Sequence, residues 1–498
     1  MKIFSTEQIR QWDRFTIDHE PISSIDLMER AAQACFQYLK ENISASAYWV
    51  FAGNGNNGGD GLAIARLLKH QGHEVSVYQV GSARMSDDCQ TNLDRLRNMG
   101  IDYKVIISTE DIPPPPQGDV CIIDALLGTG QDRPLEGTYK ALVDAVNTWN
   151  LPVFSIDLPT GLPADRPAGS SSVIRARYTL SFQLPKLAFF MPENDEYVGE
   201  WVVLDIGLSS QFYNAQDSTL DLTEIREIRQ MIRPRKKSSH KGSHGTALLL
   251  AGSRGMMGAA ILAARACLRS GAGKLVAQIP GAGLDLMQGA VPEAICLADE
   301  NHFSLEKLPA GLNSFEAVGA GPGLGKSAAT RGLIDQLLSS VRVPLVLDAD
   351  ALNIIAEQGW QNRIPPGTII TPHIKEFERL FGCYDRHHQR VQAALDMAAE
   401  LGIYIVLKGR YSLVATPGKK GYFNPTGNSG MAKAGTGDVL TGMVTGLLAQ
   451  GYEQATACRL AVFLHGMAGD LARSEHSEYG IIASDLIEKI GFCYLKVF

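Results

Sequence analysis

Short apolar runs alternate along the chain with stretches of helical spacing, and most runs end in loops rich in Gly, Asn and Asp. Ser5 and Gln8 form a capping box for a first helix that carries Ile9, Trp12, Phe15 and Ile17. A second helix starts near Ser23-Ser24 and passes through Leu27, Met28, Ala31, Cys35 and Phe36. Tyr48 to Ala52 reads as a buried strand, followed by a loop from Gly53 to Gly61 and a helix through Leu62, Ile64, Ala65, Leu67 and Leu68. The alternation goes on with a helix from Asp87 to Met99 and a strand from Tyr103 to Ile107. A stiff proline connection, Pro113 to Pro116, leads to a strand from Val120 to Leu127. A helix from about Glu136 to Trp149 and a strand from Pro152 to Asp157 follow. Strands that alternate with helices predict a parallel sheet covered on both faces.

Residues 209–239 break this rhythm. They are polar, end in Arg233-Pro234-Arg235-Lys236-Lys237, and read as a connector with the first helix of another domain. Beyond them the alternation resumes, with strands expected at Thr246 to Gly252, Leu275 to Ile279, Pro344 to Leu347, Thr368 to Thr371 and Ile403 to Leu407. A tight loop, Gly255 to Ala259, precedes a helix from Ala260 to Ser270, and a second helix covers Lys375 to Phe381. A hairpin pairs Leu413 to Ala415 with Gly421 to Phe423. The fold class expected is α/β, in two domains: residues 1–210 and 225–498, joined by 211–224. A chain of 498 residues is too long for one core, which agrees.

Composition narrows the function. A net charge of −7 gives no case for nucleic acid as a partner, and the one basic cluster is short and lacks interleaved aromatics. The eight cysteines are dispersed without a CxxC pair, which suits reduced thiols in a cytoplasmic protein. Met1 to Arg10 lacks the apolar core of a signal peptide, and no apolar run is long enough for a membrane span. The expectation is a cytoplasmic, homo-oligomeric enzyme acting on small molecules, with no nucleic-acid or membrane partner.

Candidate chemistry gathers at strand ends. In the second half, Gly435-Thr436-Gly437-Asp438 runs into an apolar helix, so flexible backbone presents amides at a helix start, where unpaired N–H groups attract phosphate. Asp438 adds a carboxylate to the first turn, and an anion cradle beside a base suits phosphoryl transfer to a hydroxyl. Asp348 and Asp350 follow another strand and read equally as supports for a magnesium-bound phosphate or as helix caps. Ala317 to Ser327 looks like a P-loop but fails it, because Ala320 stands where the first Gly is needed and Pro322 has no amide hydrogen.

In the first half, Asn56 to Asp60, Asp124 to Pro134 and Asp157 to Gly161 would converge at the carboxyl edge of the sheet. Asn57, Asp124 and Thr160 offer only oxygen ligands, which suit a hard cation. Gly53, Gly55 and Gly58 also match a dinucleotide-binding fingerprint. The following strand, Glu74 to Val80, ends apolar instead of delivering the acidic residue that fingerprint needs.

These motifs carry two resemblances. Leu27-Met28-Glu29, Gly53 to Asp60, Asp124 to Pro134 and Asp157-Leu158-Pro159-Thr160-Gly161 resemble the NAD(P)H-hydrate epimerase domain over residues 1–210. The resemblance implies a three-layer, Rossmann-like domain with potassium on Asn57, Asp124 and Thr160. It implies contacts to the hydrated nucleotide from Asn56, Asn57, Gly58, Gly59 and Asp60, and from Gly128, Thr129, Gly130, Gln131, Asp132, Arg133 and Pro134. Asp157 would be the acid–base group, with Tyr139 a contact on the next helix.

Residues 225–498 resemble the ADP- or ATP-dependent NAD(P)H-hydrate dehydratase of the ribokinase-like superfamily, also a three-layer α/β/α fold. The matching motifs are His240-Lys241-Gly242, Gly321-Pro322-Gly323, Asp348 to Leu352, Thr371-Pro372-His373, Leu407-Lys408-Gly409, Asn424 to Asn428 and Gly435 to Asp438. This implies substrate contacts at Ala259, Gly323, His373 and Asp438, and contacts to an adenine nucleotide at Lys408, Gly409, Arg410, Tyr411, Ser412, Gly435, Thr436 and Gly437. Ala434 and Ile374-Lys375 depart from the family pattern at the motif edges. Together the two halves imply repair of hydrated NADH and NADPH (NADHX and NADPHX): one site interconverts the R and S epimers and the other, with magnesium and ADP or ATP, dehydrates the S epimer with Asp438 as catalytic base. A ribokinase-like kinase for a vitamin or sugar hydroxyl, with a regulatory first half, is the alternative.

Overall fold

The computed structural model describes residues 1–81, 84–169 and 171–498, and the chain divides into two compact units. One holds residues 2–218 with the short segment 386–388; the other holds Met1, 219–385 and 389–498.

The first unit is built on seven strands: β1 (Ala47–Ala52), β2 (Glu74–Val80), β3 (Tyr103–Ile106), β4 (Val120–Ala125), β5 (Val153–Ile156), β6 (Tyr178–Phe182) and β7 (Glu200–Leu204). Their order is β3-β2-β1-β4-β5-β6-β7, and every neighbouring pair is parallel. The near-continuous apolar runs have their reason here, because both faces of the sheet are covered. Tyr48, Val50, Cys121 and Ile123 pack with Cys35, Leu39 and Leu62 in one cluster, while Phe51, Val120 and Ile122 pack with Leu142, Val143 and Val146 in another. Strand order reverses between β1 and β4, so the loops leaving their carboxyl ends part in opposite directions and open a crevice.

The capping box at Ser5 and Gln8 forms as expected and starts the helix Thr6–His19. The stretch expected as a loop from Gly53 to Gly61 is mostly helix, because Asn56–His70 is one continuous helix. Its glycines serve close packing. A Cβ at Gly58 would lie 1.9 Å from the Gly53 carbonyl oxygen, and one at Gly61 would lie 2.4 Å from the Ala125 Cβ. The helix can press onto the sheet only where side chains are missing.

The second unit contains β8 (Leu220–Leu222), β9 (Thr246–Leu250), β10 (Lys274–Pro280), β11 (Ile295–Asp299), β12 (Ala317–Ala320), β13 (Leu345–Leu347), β14 (Ile369–Ile370), β15 (Tyr404–Leu407), β16 (Leu413–Ala415) and β17 (Gly421–Phe423). The order is β8-β17-β16-β15-β14-β13-β12-β9-β10-β11. From β15 to β11 all pairs are parallel, while β16 runs antiparallel to both its neighbours as the expected hairpin. Residues 211–224, expected as a connector, hold all but the first residue of the helix Ser210–Ala215 and the strand β8, which pairs with β17.

The helix Thr436–Ala449 lies in the core and is buried at every position from Val439 to Ala449. Gly442 and Gly446 let it meet the helix Met257–Arg269 backbone to backbone, since a Cβ there would come within 2.1 Å and 2.6 Å of the Ala263 and Cys267 carbonyl oxygens. Among the described residues, no helix is long and apolar enough to cross a membrane.

Candidate active sites

In the first unit, β5 ends at Ile156 and the next residue, Asp157, has φ +63°. A non-glycine residue in this left-handed region is strained, and such strain concentrates where a side chain must be aimed. Here it turns the carboxylate toward the ammonium of Lys186, 2.8 Å away. Lys186 is buried, and its Nζ also donates to the Ser181 hydroxyl and to the Phe182 and Leu184 carbonyls. The backbone N–H of Thr129 lies 3.4 Å from the other Asp157 oxygen.

Around this pair lies a pocket of about 780 Å³, counted to its open mouth, which Asn56, Asp60, Thr129, Asp157 and Lys186 share with the helix Thr6–His19. That helix contributes Ile9, Trp12, Asp13 and Ile17. Burial pushes the Asp13 carboxyl up to about 7, Asp157 adds to the rise, and Lys186 opposes it. Burial, with Asp157, Asp13 and Asp88 nearby, holds the Asp60 carboxyl well above the usual range.

Beside the pocket, the Asp124 carboxylate accepts from the Ser155 hydroxyl at 2.7 Å, the Thr160 N–H at 2.9 Å and the Thr160 hydroxyl at 2.6 Å. The Asn57 amide packs against Gly128, since a Cβ added there would lie 3.2 Å from its Cγ. Both polar atoms of that amide are buried without a hydrogen-bond partner.

The remaining expected contacts are arranged differently. Gly58 and Gly59 are buried behind the pocket wall, Gly59 against the Met28 sulfur. The Gln131 side chain caps the Gly161 N–H at 2.9 Å, Asp132 pairs with Arg166 at 2.5 Å, and Gly130, Arg133 and Pro134 are exposed. Tyr139 donates its hydroxyl to the Val80 carbonyl at 2.9 Å and is not among the residues lining the pocket.

In the second unit, Gly435 has φ +93° and caps the helix that begins at Thr436, which leaves Asp438 in its first turn. Burial pushes the Asp438 carboxyl up to about 7; the neighbouring Asp348, Asp350 and Glu376 add to the rise, and Lys408 opposes it. The Asp348 side chain does not cap its helix. Its oxygens accept from the Lys408 ammonium at 2.9 Å and from the Thr441 hydroxyl at 2.6 Å. Burial would lower the Lys408 ammonium, but Asp348 and Glu376 outweigh it and hold the group above its usual value.

Asp350 accepts from the Gly325 N–H at 2.8 Å. Gly321 leaves room for the Asp348 carbonyl, which a Cβ would meet at 1.9 Å. Gly323 lies beside Ala259 and the Met256 carbonyl, where a Cβ would come within 3.1 Å and 2.5 Å. His373 caps its helix through Nδ1, which accepts from the Lys375 and Glu376 N–H groups, and burial followed by the charge of Lys408 lowers its basicity. Gly409 and Ser412 close a turn that leaves Gly409 and Arg410 exposed. Arg410 lies over the ring of Tyr411 at 5.2 Å. The Thr436 hydroxyl is spent on the Met431 and Lys433 carbonyls, while Gly437 lies close to the Lys408 ammonium.

Asp13, Lys186, Glu376 and Thr441 were not singled out from the sequence. Lys186 had a signal, a lone cation inside Leu184-Pro185-Lys186-Leu187-Ala188-Phe189-Phe190 with no nearby acid. Asp13 had a weaker one, at four-residue spacing between Ile9 and Ile17 on an otherwise apolar helix face.

Two open α/β sheets, each with ionisable groups gathered at the carboxyl ends of its strands, define a two-site α/β enzyme. A family described as YjeF-related protein N-terminus matches residues 24–188, and one described as NAD(P)H-hydrate dehydratase matches residues 247–491. A bifunctional NAD(P)H-hydrate repair enzyme from Moorella thermoacetica is 33% identical over 99% of this chain and 96% of its own. Among solved structures, an ADP/ATP-dependent NAD(P)H-hydrate dehydratase from Bacillus subtilis, co-crystallised with ATP/Mg2+, is 32% identical (TM-score 0.48, 56% of this chain and 99% of that one). A ribokinase-like superfamily protein from Enterococcus faecalis is 26% identical, with TM-score 0.52, over 57% of this chain and 98% of that one. The chain belongs to the family of bifunctional NAD(P)H-hydrate repair enzymes.

Proposed function

We propose that the chain returns hydrated NADH and NADPH to their reduced forms. The first unit interconverts the R and S hydrates, and the second uses ADP or ATP to dehydrate the S epimer with release of phosphate. The observation that carries this reading is the Asp438 carboxyl, pushed up to about 7 at a helix start beside the Gly435 turn and the Lys408–Asp348 pair. A carboxyl in that range is matched to taking a hydroxyl proton at neutral pH. The helix-start amides favour a phosphoryl group, and Lys408 adds positive charge beside Gly437. Phosphate placed on the ring hydroxyl becomes a leaving group, and its loss restores the dihydronicotinamide.

Both Asp348 oxygens are engaged, so Asp348 orders Lys408 and Thr441. Asp350, with one oxygen on the Gly325 N–H, is the carboxylate that would join magnesium carried by the nucleotide phosphates. In the first unit Asp157 is the acid–base group. The buried Asn57 amide oxygen, unpartnered and packed against Gly128, fits potassium together with the oxygens of Asp124 and Thr160, because potassium takes oxygen donors and would give that oxygen a partner.

Mixed hydrate epimers supplied with ADP or ATP test the reading by return of reduced-cofactor absorbance. Full return is expected from the natural chain, return of the S fraction alone from Asp157→Asn, and none from Asp438→Asn. Dehydration retained by Asp438→Asn would remove that residue from the chemistry.

A further inference from the structure

We propose that Asp13 is a second catalytic carboxylate in the N-terminal pocket, exchanging a proton with the ring hydroxyl while Asp157 serves as its partner base. The proposal rests on the epimerase reading of that pocket.

Three carboxylates reach the pocket from three elements: Asp13 from the helix Thr6–His19, Asp60 from the helix Asn56–His70, and Asp157 from the end of β5. Their surroundings differ. Asp157 is ion-paired with Lys186 and receives backbone N–H groups. Asp60 is only 8% exposed, and burial with the nearby acids holds its carboxyl well above the usual range.

Asp13 makes no hydrogen bond or ion pair among the described residues, although it lies on the pocket wall between Ile9, Trp12 and Ile17. A carboxyl in the middle of an apolar helix face is costly when nothing in the protein satisfies it. Facing a pocket that binds a hydroxylated ring, it has a partner only when substrate is present. Its carboxyl titrates at about 7, so at neutral pH it can both give and take a proton. The ionisable groups facing it are Asp157, Asp60 and Lys186.

The step balances. Asp13 gives its proton to the ring hydroxyl, and the carbon–oxygen bond breaks as the ring nitrogen lone pair forms a carbon–nitrogen double bond. Water leaves with the oxygen. A water then adds to the opposite face of the same carbon, the electron pair returns to nitrogen, and the Asp157 carboxylate takes the proton that the water loses. One water is lost and one gained, and one proton passes from Asp13 to Asp157. The reverse turnover or exchange with solvent resets the pair.

The test follows interconversion of separated R and S hydrates by chromatography, on the full chain without nucleotide so that the second site is silent. Asp13→Asn is expected to lower kcat by about 10²–10⁴-fold with KM little changed, and Asp13→Glu to restore part of it. Because the acid form of Asp13 is required, wild-type kcat should fall about tenfold per pH unit above about 7, and Asp13→Asn should lack that limb. Wild-type turnover by Asp13→Asn overturns the proposal, as does a wild-type rate that stays flat across neutral pH. If Asp13→Asn fails to fold, the wild-type limb and Asp13→Glu decide. A wild-type chain that interconverts nothing overturns the epimerase reading instead.

Discussion

Replacing Asp438 by Asn should abolish dehydration and at the same time make the second unit more stable at alkaline pH. The carboxyl titrates at about 7 in the fold against 3.8 for an ordinary aspartate, because burial and then Asp348, Asp350 and Glu376 disfavour its charge. At about 1.4 kcal/mol per pH unit, ionising it in the fold costs about 4 kcal/mol more than in the unfolded chain. The sign is that of a raised carboxyl. Below 3.8 both states hold the proton and nothing is lost. Stability then declines as pH rises toward 7, and the whole penalty stands above that.

Asn never ionises, so its advantage should be near zero at pH 4, about 2 kcal/mol near pH 5, and largest above neutrality. The gain should fall short of about 4 kcal/mol, because water entry and relaxation lighten the penalty in the natural protein. A gain of about 1 kcal/mol would still raise the melting point of a unit this size by about 2–4 °C. Thermal scans of the full chain without nucleotide, at acid and alkaline pH, read the second unit's transition. A variant that melts no higher than wild type at alkaline pH, or that gains equally at both, would refute the argument.

Other outcomes follow from the same geometry. Lys186→Met would strand the buried Asp157 carboxylate, at a cost of about 3–5 kcal/mol to the first unit, read by denaturant unfolding; an unchanged midpoint would contradict the ion pair's role. Gly321→Ala would drive a Cβ into the Asp348 carbonyl at φ +136°, so dehydration should fall at least about tenfold while epimerisation is spared, as measured by the two separate assays. Replacing potassium by a large organic cation should slow epimerisation. Asn57→Ala should make the rate insensitive to that exchange, and equal potassium dependence in both proteins would remove Asn57 from the site.

Strand and helix alternation, the Ser5 capping box and the placing of Asp124 and Asp157 at the carboxyl ends of strands were legible in the sequence because each is a local pattern. What escaped was set by tertiary contact. The helix at Asn56 starts inside a glycine run that local propensity reads as loop, and it forms because Gly58 and Gly61 must touch Gly53 and Ala125. Asp348 could equally have been a cap until its partners, Lys408 and Thr441, were in place, 60 and 93 residues further along. Asp13 and Lys186, far apart in the chain, come to line one pocket only in the folded unit.

The positive φ at Asp157 sets what this position can accept. Of the ordinary side chains, Asn and Asp tolerate that region best apart from Gly, and Asn matches the shape of Asp without its charge. Random substitution at position 157 should therefore sort into misfolded products and a narrow folded remainder in which Asn holds the pocket's shape but cannot carry the proton. Such a variant would be a ready-made trap, able to hold a hydrated nucleotide without converting it and so to fish damaged cofactor out of a metabolite extract.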